Sequence, residues 1–157
     1  MKVIMATDGS KIARDALEWY MQTLHKDENQ LYIVHVTDNR YSFETKDPVI
    51  PADQHLFVLG RQEEDKKAKA VVKEMESFLL HNKIHGEVNR LFGDVGEEIV
   101  KRAACVNASL IITGSRGLGV IRRTVLGSVS DYVVQHANIP VIVFKDKSFK
   151  STSSIID

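Results

Sequence analysis

LIITGSRGLGVIRRTVLGSVSDYVVQHANIPVIVF, residues 110–144, decides how the rest of the chain is read. Leu110 to Thr113 is a short apolar run, and Gly114 ends it. Gly117, Gly119, Arg122, Arg123 and the pair Gly127-Ser128 follow before helical spacing begins. Pro140 then opens a second apolar run. This predicts a strand, a glycine-rich loop, a helix N-terminus and a further strand. Glycine permits positive φ and close approach of the backbone to a ligand. A helix's first turn carries unpaired N–H groups and partial positive charge. Ser128 is placed to cap that turn and offers a hydroxyl, while Arg122 and Arg123 add donors suited to phosphate. Together they describe an anion cradle. Any one of these glycines alone reads more simply as a strand end or a helix start.

Outward from this stretch, apolar runs alternate with helical patterns. Lys2 to Thr7 reads as a buried strand broken by Asp8-Gly9-Ser10. Ala13, Ala16, Leu17, Tyr20 and Leu24 recur at helical spacing, predicting a helix from Ser10 to His25. Leu31 to Val36 is a second strand. Residues 39–53 contain Pro48 and Pro51 and read as a loop, with Asp53 as cap of the next and longest helix. Ala68, Val71, Val72, Met75, Phe78 and Leu79 form its inner face, and Glu63-Glu64-Asp65-Lys66-Lys67 reads as a solvated turn. Ile84 to Leu91 is a weaker third strand. Asp94-x-x-Glu97 resembles a capping box ahead of the stripe Val95, Ile99, Val100 and Ala103. Five strands and four helices in alternation predict one α/β domain, an open parallel sheet with helices on both faces.

Composition bounds the function. The chain has 157 residues, 43% hydrophobic and 27% charged, an ordinary globular balance. Lys plus Arg equals Asp plus Glu at 21 each, which argues against a general nucleic-acid binder. The start MKVIMATDGS lacks signal-peptide architecture and no apolar run reaches membrane length, so a cytoplasmic protein with no membrane partner is expected. The single cysteine, Cys105, is expected on the apolar side of its helix as inert packing. The six histidines show no zinc spacing. No GxxxxGK[ST] or GxSxG occurs, and Arg122 stands where a dinucleotide fingerprint needs its third glycine. No residue stands out as a base for activating water, so nucleotide binding is favoured over fast catalysis.

Gly114-x2-Gly117-x9-Gly127-Ser128, continued by GSVSDYVVQHANIPVIV, resembles the nucleotide-binding signature of the universal stress proteins, in their ATP-binding branch. The resemblance covers nearly the whole chain, implying a family domain over 1–147 and a polar, flexible tail over 148–157. It implies a Rossmann-like sheet of strand order 3-2-1-4-5. In such sheets ligands bind beyond the carboxyl ends of the strands, where the order reverses. By resemblance the nucleotide-binding residues are Ala6, Asp8, Val36, Gly114, Arg116, Gly117, Gly127, Ser128, Val129 and Ser130. Asp8 would accept from ribose, and a backbone group at Val36 would read the adenine edge. On residues alone, Asp8 reads as a cap of the first helix, while Ser130 is open between the site and solvent, and Arg116 equally between a phosphate contact and a surface residue. The implied cofactors are ATP and a magnesium or manganese ion held through the phosphates. The implied partner is a second copy, joined through edge strand Val141-Ile142-Val143-Phe144. The enzymatic alternative is a slow ATPase at the same pocket; a third reading is a structural dimer whose pocket stays empty.

Overall fold

The computed structural model describes residues 1–38, 51–115 and 126–145, with backbone alone for 51–58. Its elements in chain order are β1 (Lys2–Ala6), α1 (Lys11–Thr23), β2 (Gln30–Asp38), α2 (Pro51–His81), β3 (Gly86–Gly93), α3 (Val95–Cys105), β4 (Leu110–Gly114), α4 (Ser128–His136) and β5 (Val141–Phe144). The strands form one sheet in the order β3-β2-β1-β4-β5, and every pairing is parallel. The strand order expected from the resemblance is the one observed.

The central strands β1 and β4 and the first half of β2 read as continuous apolar runs because both sheet faces are covered there; edge strand β3 is more polar. Alternate residues separate cleanly. Val3, Met5, Leu31, Ile33 and Ile112 pack with Ala16, Leu17 and Tyr20 of α1 and Met75 and Leu79 of α2. Ile4, Ala6, Tyr32, Val34 and Ile111 pack with Ile99 and Ala103 of α3 and Val133 of α4. Each fully buried branched side chain is worth about 1.5–3 kcal/mol, so the two layers supply the main driving force for the fold.

Element ends hold the departures from expectation. The long helix starts at Pro51, where a proline's fixed φ suits the first turn. Asp53 therefore lies inside that turn instead of capping it, and 39–50 lie outside the described residues. Ile84 is not in a strand. Lys83 takes a left-handed φ of 54°, and the Ile84 N–H returns to Leu79 O at 2.9 Å. That is a Schellman closure, so Ile84 seals α2 and β3 begins only at Gly86. Asn107 (φ 53°) closes α3 in the same way. Cys105 is exposed. It follows buried Ala103 by two positions, about 200° around the helix, which turns it outward. Asp94 caps α3 as expected, accepting from Glu97 N–H at 3.1 Å, whereas the Glu97 carboxylate turns to Lys101. Asp65, within the charge run read as solvated, ties α2 to β3 through Arg90 at 2.7 Å.

One bridge joins α1 to α2 across sixty residues of sequence. Arg14 Nε and Nη2 donate to the two Glu74 oxygens at 2.7 and 3.3 Å. The guanidinium hydrogen bond holds the Glu74 carboxyl below its usual value. A carboxylate of lowered pKa stabilises the fold above its unfolded value, roughly 4.3, and that stabilisation is lost as pH falls through the folded value. Both side chains are nearly half exposed, so screening keeps the effect to about 0.2–1 kcal/mol. Glu74→Gln should lower stability by that amount at pH 7, and the gap should narrow as pH falls below the ordinary carboxylate range. Urea denaturation at pH 7 and below that range measures it; an equal gap at both would remove the ion pair as its cause.

Candidate functional site

β1 is flanked by β2 on one side and β4 on the other, so sheet order reverses between β1 and β4. A shallow cleft opens there beyond the strands' carboxyl ends, with about 80 Å³ of enclosed space. Ala6, Val34, Val36, Val95, Ile99 and Val129 give it an apolar wall. Thr7, Asp8, Ser10, Thr113 and Ser130 add polar groups, and Gly114 and Gly127 add bare backbone. A flat apolar ring fits the wall, and a polar or anionic group fits the rim.

The turn after β1 is pinned. Asp8 Oδ1 accepts from Ser10 N–H at 2.9 Å, and Thr7 Oγ1 accepts from Gly9 N–H at 3.2 Å. Gly9 has φ +77°, and a Cβ there would lie 2.5 Å from Val71 Cγ2. Only glycine fits both conditions. Ser10 is the helix cap, accepting from Ala13 N–H at 3.4 Å. The capping role expected of Asp8 on residues alone is thus taken by Ser10, and the exposed Asp8 carboxylate stands at the cleft. Asp8 also contributes to the upward shift of the Arg14 pKa, behind the larger effects of Glu74.

On the other side, Thr113 is buried at the end of β4, and the Ser115 N–H continues to Phe144 O at 2.8 Å. The start of α4 corrects the sequence reading. Gly127 is the N-cap and makes no side-chain cap bond. Ser128 is the first helical residue, with its side chain exposed, so it cannot cap its own turn. Ser130 is buried instead of solvent-facing, and its hydroxyl donates to Gly127 O at 2.9 Å. A glycine cap offers the first-turn N–H groups no side-chain acceptor of its own, an arrangement that suits an anion.

Of the residues expected from sequence, Ala6, Asp8, Val36, Gly114, Gly127, Val129 and Ser130 line the cleft. Ser128 adjoins it, and Arg116 and Gly117 lie outside the described residues, as do Gly119, Arg122 and Arg123. Thr7, Ser10, Ile12, Ala13, Val34, Val95, Ile99 and Thr113 also line it and were not expected. Val95 and Ile99 carry the helical stripe of α3, and periodicity does not distinguish a cleft wall from a core wall. Among the described residues, no cluster of three or more His, Cys, Asp or Glu could hold a metal ion. No described helix is long and apolar enough to cross a membrane.

These features define an α/β protein with a doubly covered parallel sheet and a cleft at its switch point. Residues 1–145 match the model of the Universal stress protein family, and the chain belongs to that family. It is 30% identical to Universal stress protein MJ0531 of Methanocaldococcus jannaschii, over 92% of this chain and 81% of that protein. It is similar to the solved structure of hypothetical protein MJ0577, with TM-score 0.67 and 28% identity over 93% of this chain and 96% of the other. A family protein of Arabidopsis thaliana, solved with AMP bound, shares the fold with TM-score 0.69 and 22% identity over 98% and 97% of the two chains.

Proposed function

We propose that this chain is an ATP-binding universal stress protein, a nucleotide-loaded homodimer that acts as a cytoplasmic stress-signalling module. The observation that carries the reading is the convergence of three features on one cleft: Asp8, Val36 at the end of β2 and the glycine-capped start of α4. Adenine would lie on the apolar wall with ribose at Asp8 and phosphates at α4. The AMP held by the Arabidopsis relative supports an adenine nucleotide. Among the described lining residues, Asp8 is the one titratable side chain, which favours binding or slow hydrolysis over fast catalysis. A magnesium or manganese ion would take its ligands mostly from phosphate oxygens and water.

Titration calorimetry tests the reading. ATP with magnesium should bind more tightly than GTP, and chelation should weaken it. Equal affinity for the two nucleotides would remove the adenine assignment, and no binding of either would leave a structural dimer.

The dimer would form on β5, which ends the sheet. Val141, Ile142 and Val143 are half-buried and Phe144 is buried against Trp19. A β-branched apolar edge is a pairing hazard that proteins normally cover. Two copies meeting about a two-fold axis would satisfy both edges. Light scattering at micromolar concentration should give twice the chain mass; a monomer there would refute the dimer.

A further inference from the structure

We propose that His35 is a positioning residue for this cleft, its ring replacing one rung of the sheet so that the Asp8 turn is fixed and the Val36 N–H is left for the ligand. The inference rests on the nucleotide reading above. Register between β1 and β2 runs to Ala6 opposite Val34. One residue further, Thr7 N–H still donates to Val34 O at 2.9 Å. In a parallel ladder a residue's N–H and C=O bond the same neighbouring strand, so the Thr7 carbonyl would next accept from Val36 N–H. It accepts instead from His35 Nδ1 at 2.9 Å. A carbonyl oxygen only accepts, so Nδ1 carries the hydrogen.

Two consequences follow from that exchange. Both main-chain groups of Thr7 are held by β2, which sets the plane of the peptide leading into Asp8. Val34 and Val36 line the cleft, whereas His35 alternates to the face of Leu31 and Ile33. The ring therefore acts from behind the sheet and does not touch a ligand. The Val36 N–H keeps its direction toward the β1 side, at the cleft, without the Thr7 carbonyl as partner.

The test compares ATP binding by the unsubstituted protein, His35→Leu and His35→Asn, each confirmed folded by thermal melting. Asparagine carries its N–H donor on Cγ, as histidine carries Nδ1, and can hold the carbonyl; leucine cannot. His35→Leu should weaken ATP about tenfold, the scale of one lost hydrogen bond, and His35→Asn should stay within about threefold. A purely structural histidine would lower the melting temperature of His35→Leu and leave its affinity unchanged, which overturns the proposal. Amide exchange on the unsubstituted protein decides the matter even if His35→Leu does not fold. Val36 should exchange faster than Val34 without nucleotide and slow when ATP is added. Equal protection of the two amides before ATP overturns the proposal. Failure of the unsubstituted protein to bind ATP is a separate result, and it overturns the proposed function together with this inference.

Discussion

Gly86→Ala should lower stability by about 3 kcal/mol, the upper end of the usual cost of overpacking. For a chain of this size that is a fall of roughly 6–12 °C in melting temperature. Gly86 opens β3 opposite Leu31 of β2. A Cβ at Gly86 would lie 2.2 Å from the Leu31 carbonyl oxygen and 3.3 Å from its Cβ. The first contact is with backbone, so no rotamer change relieves it. Leu31 is fully buried, and its N–H is committed to His85 O at 2.9 Å. β2 is held between β1 and β3, so relief must come from opening the start of the β2–β3 ladder. The same substitution at Gly60 is the control. It lies in α2, and a Cβ there meets nothing within 4 Å. Gly60→Ala should stabilise by about 0.5–1 kcal/mol through helix propensity. Thermal or urea denaturation of both variants measures this; an unchanged Gly86→Ala transition would show that the close approach carries no cost.

Strand identity was legible because β1, β2 and β4 carry apolar runs buried on both faces, while β3, with Glu87, Asn89 and Arg90 along it, read as weaker. Strand order was not legible from the pattern and came with the glycine-serine signature. Helix ends were poorly legible. Lys83 and Asn107 carry left-handed turns that sequence rules assign first to glycine, so Ile84 read as strand. At α4 the serine rule named Ser128, while the backbone places Gly127 at the cap. The buried Ser130 hydroxyl depends on the Gly127 carbonyl, a contact that exists only once the helix has formed. The cleft itself was half legible. Its chemistry lies at strand ends that turn residues mark, such as Asp8 and Gly114, whereas Val34, Val95 and Ile99 look like any core residue. Contacts between distant segments, such as His35 to Thr7 O and Arg14 to Glu74, leave no local signal.

Asp8→Asn should weaken ATP binding about tenfold while leaving the fold intact. Asparagine keeps an oxygen at the Oδ1 position, so the bond from Ser10 N–H, 2.9 Å in the unsubstituted protein, is retained. Ser10, the actual helix cap, is untouched. What is lost is the charge. A hydrogen bond to a charged group contributes about 1.5–3 kcal/mol and a neutral one about 1 kcal/mol. The difference, roughly 0.5–2 kcal/mol, is about a two- to thirtyfold change in affinity. An opposing effect must be weighed. A carboxylate repels the triphosphate, and its removal relieves that repulsion. The phosphates would sit at α4, across the cleft from an exposed Asp8, and charges at such a distance near water interact by about 1 kcal/mol or less. The ribose bond therefore wins, but not by the full amount. Adenosine separates the two effects because it carries ribose and no phosphate. Asp8→Asn should weaken adenosine more than it weakens ATP, and the gap between the two losses should shrink as salt is raised. Calorimetric titration with both ligands reads each loss directly. Equal losses would mean that Asp8 does not sense the phosphates, and unchanged affinity for both in the folded variant would remove Asp8 from the site.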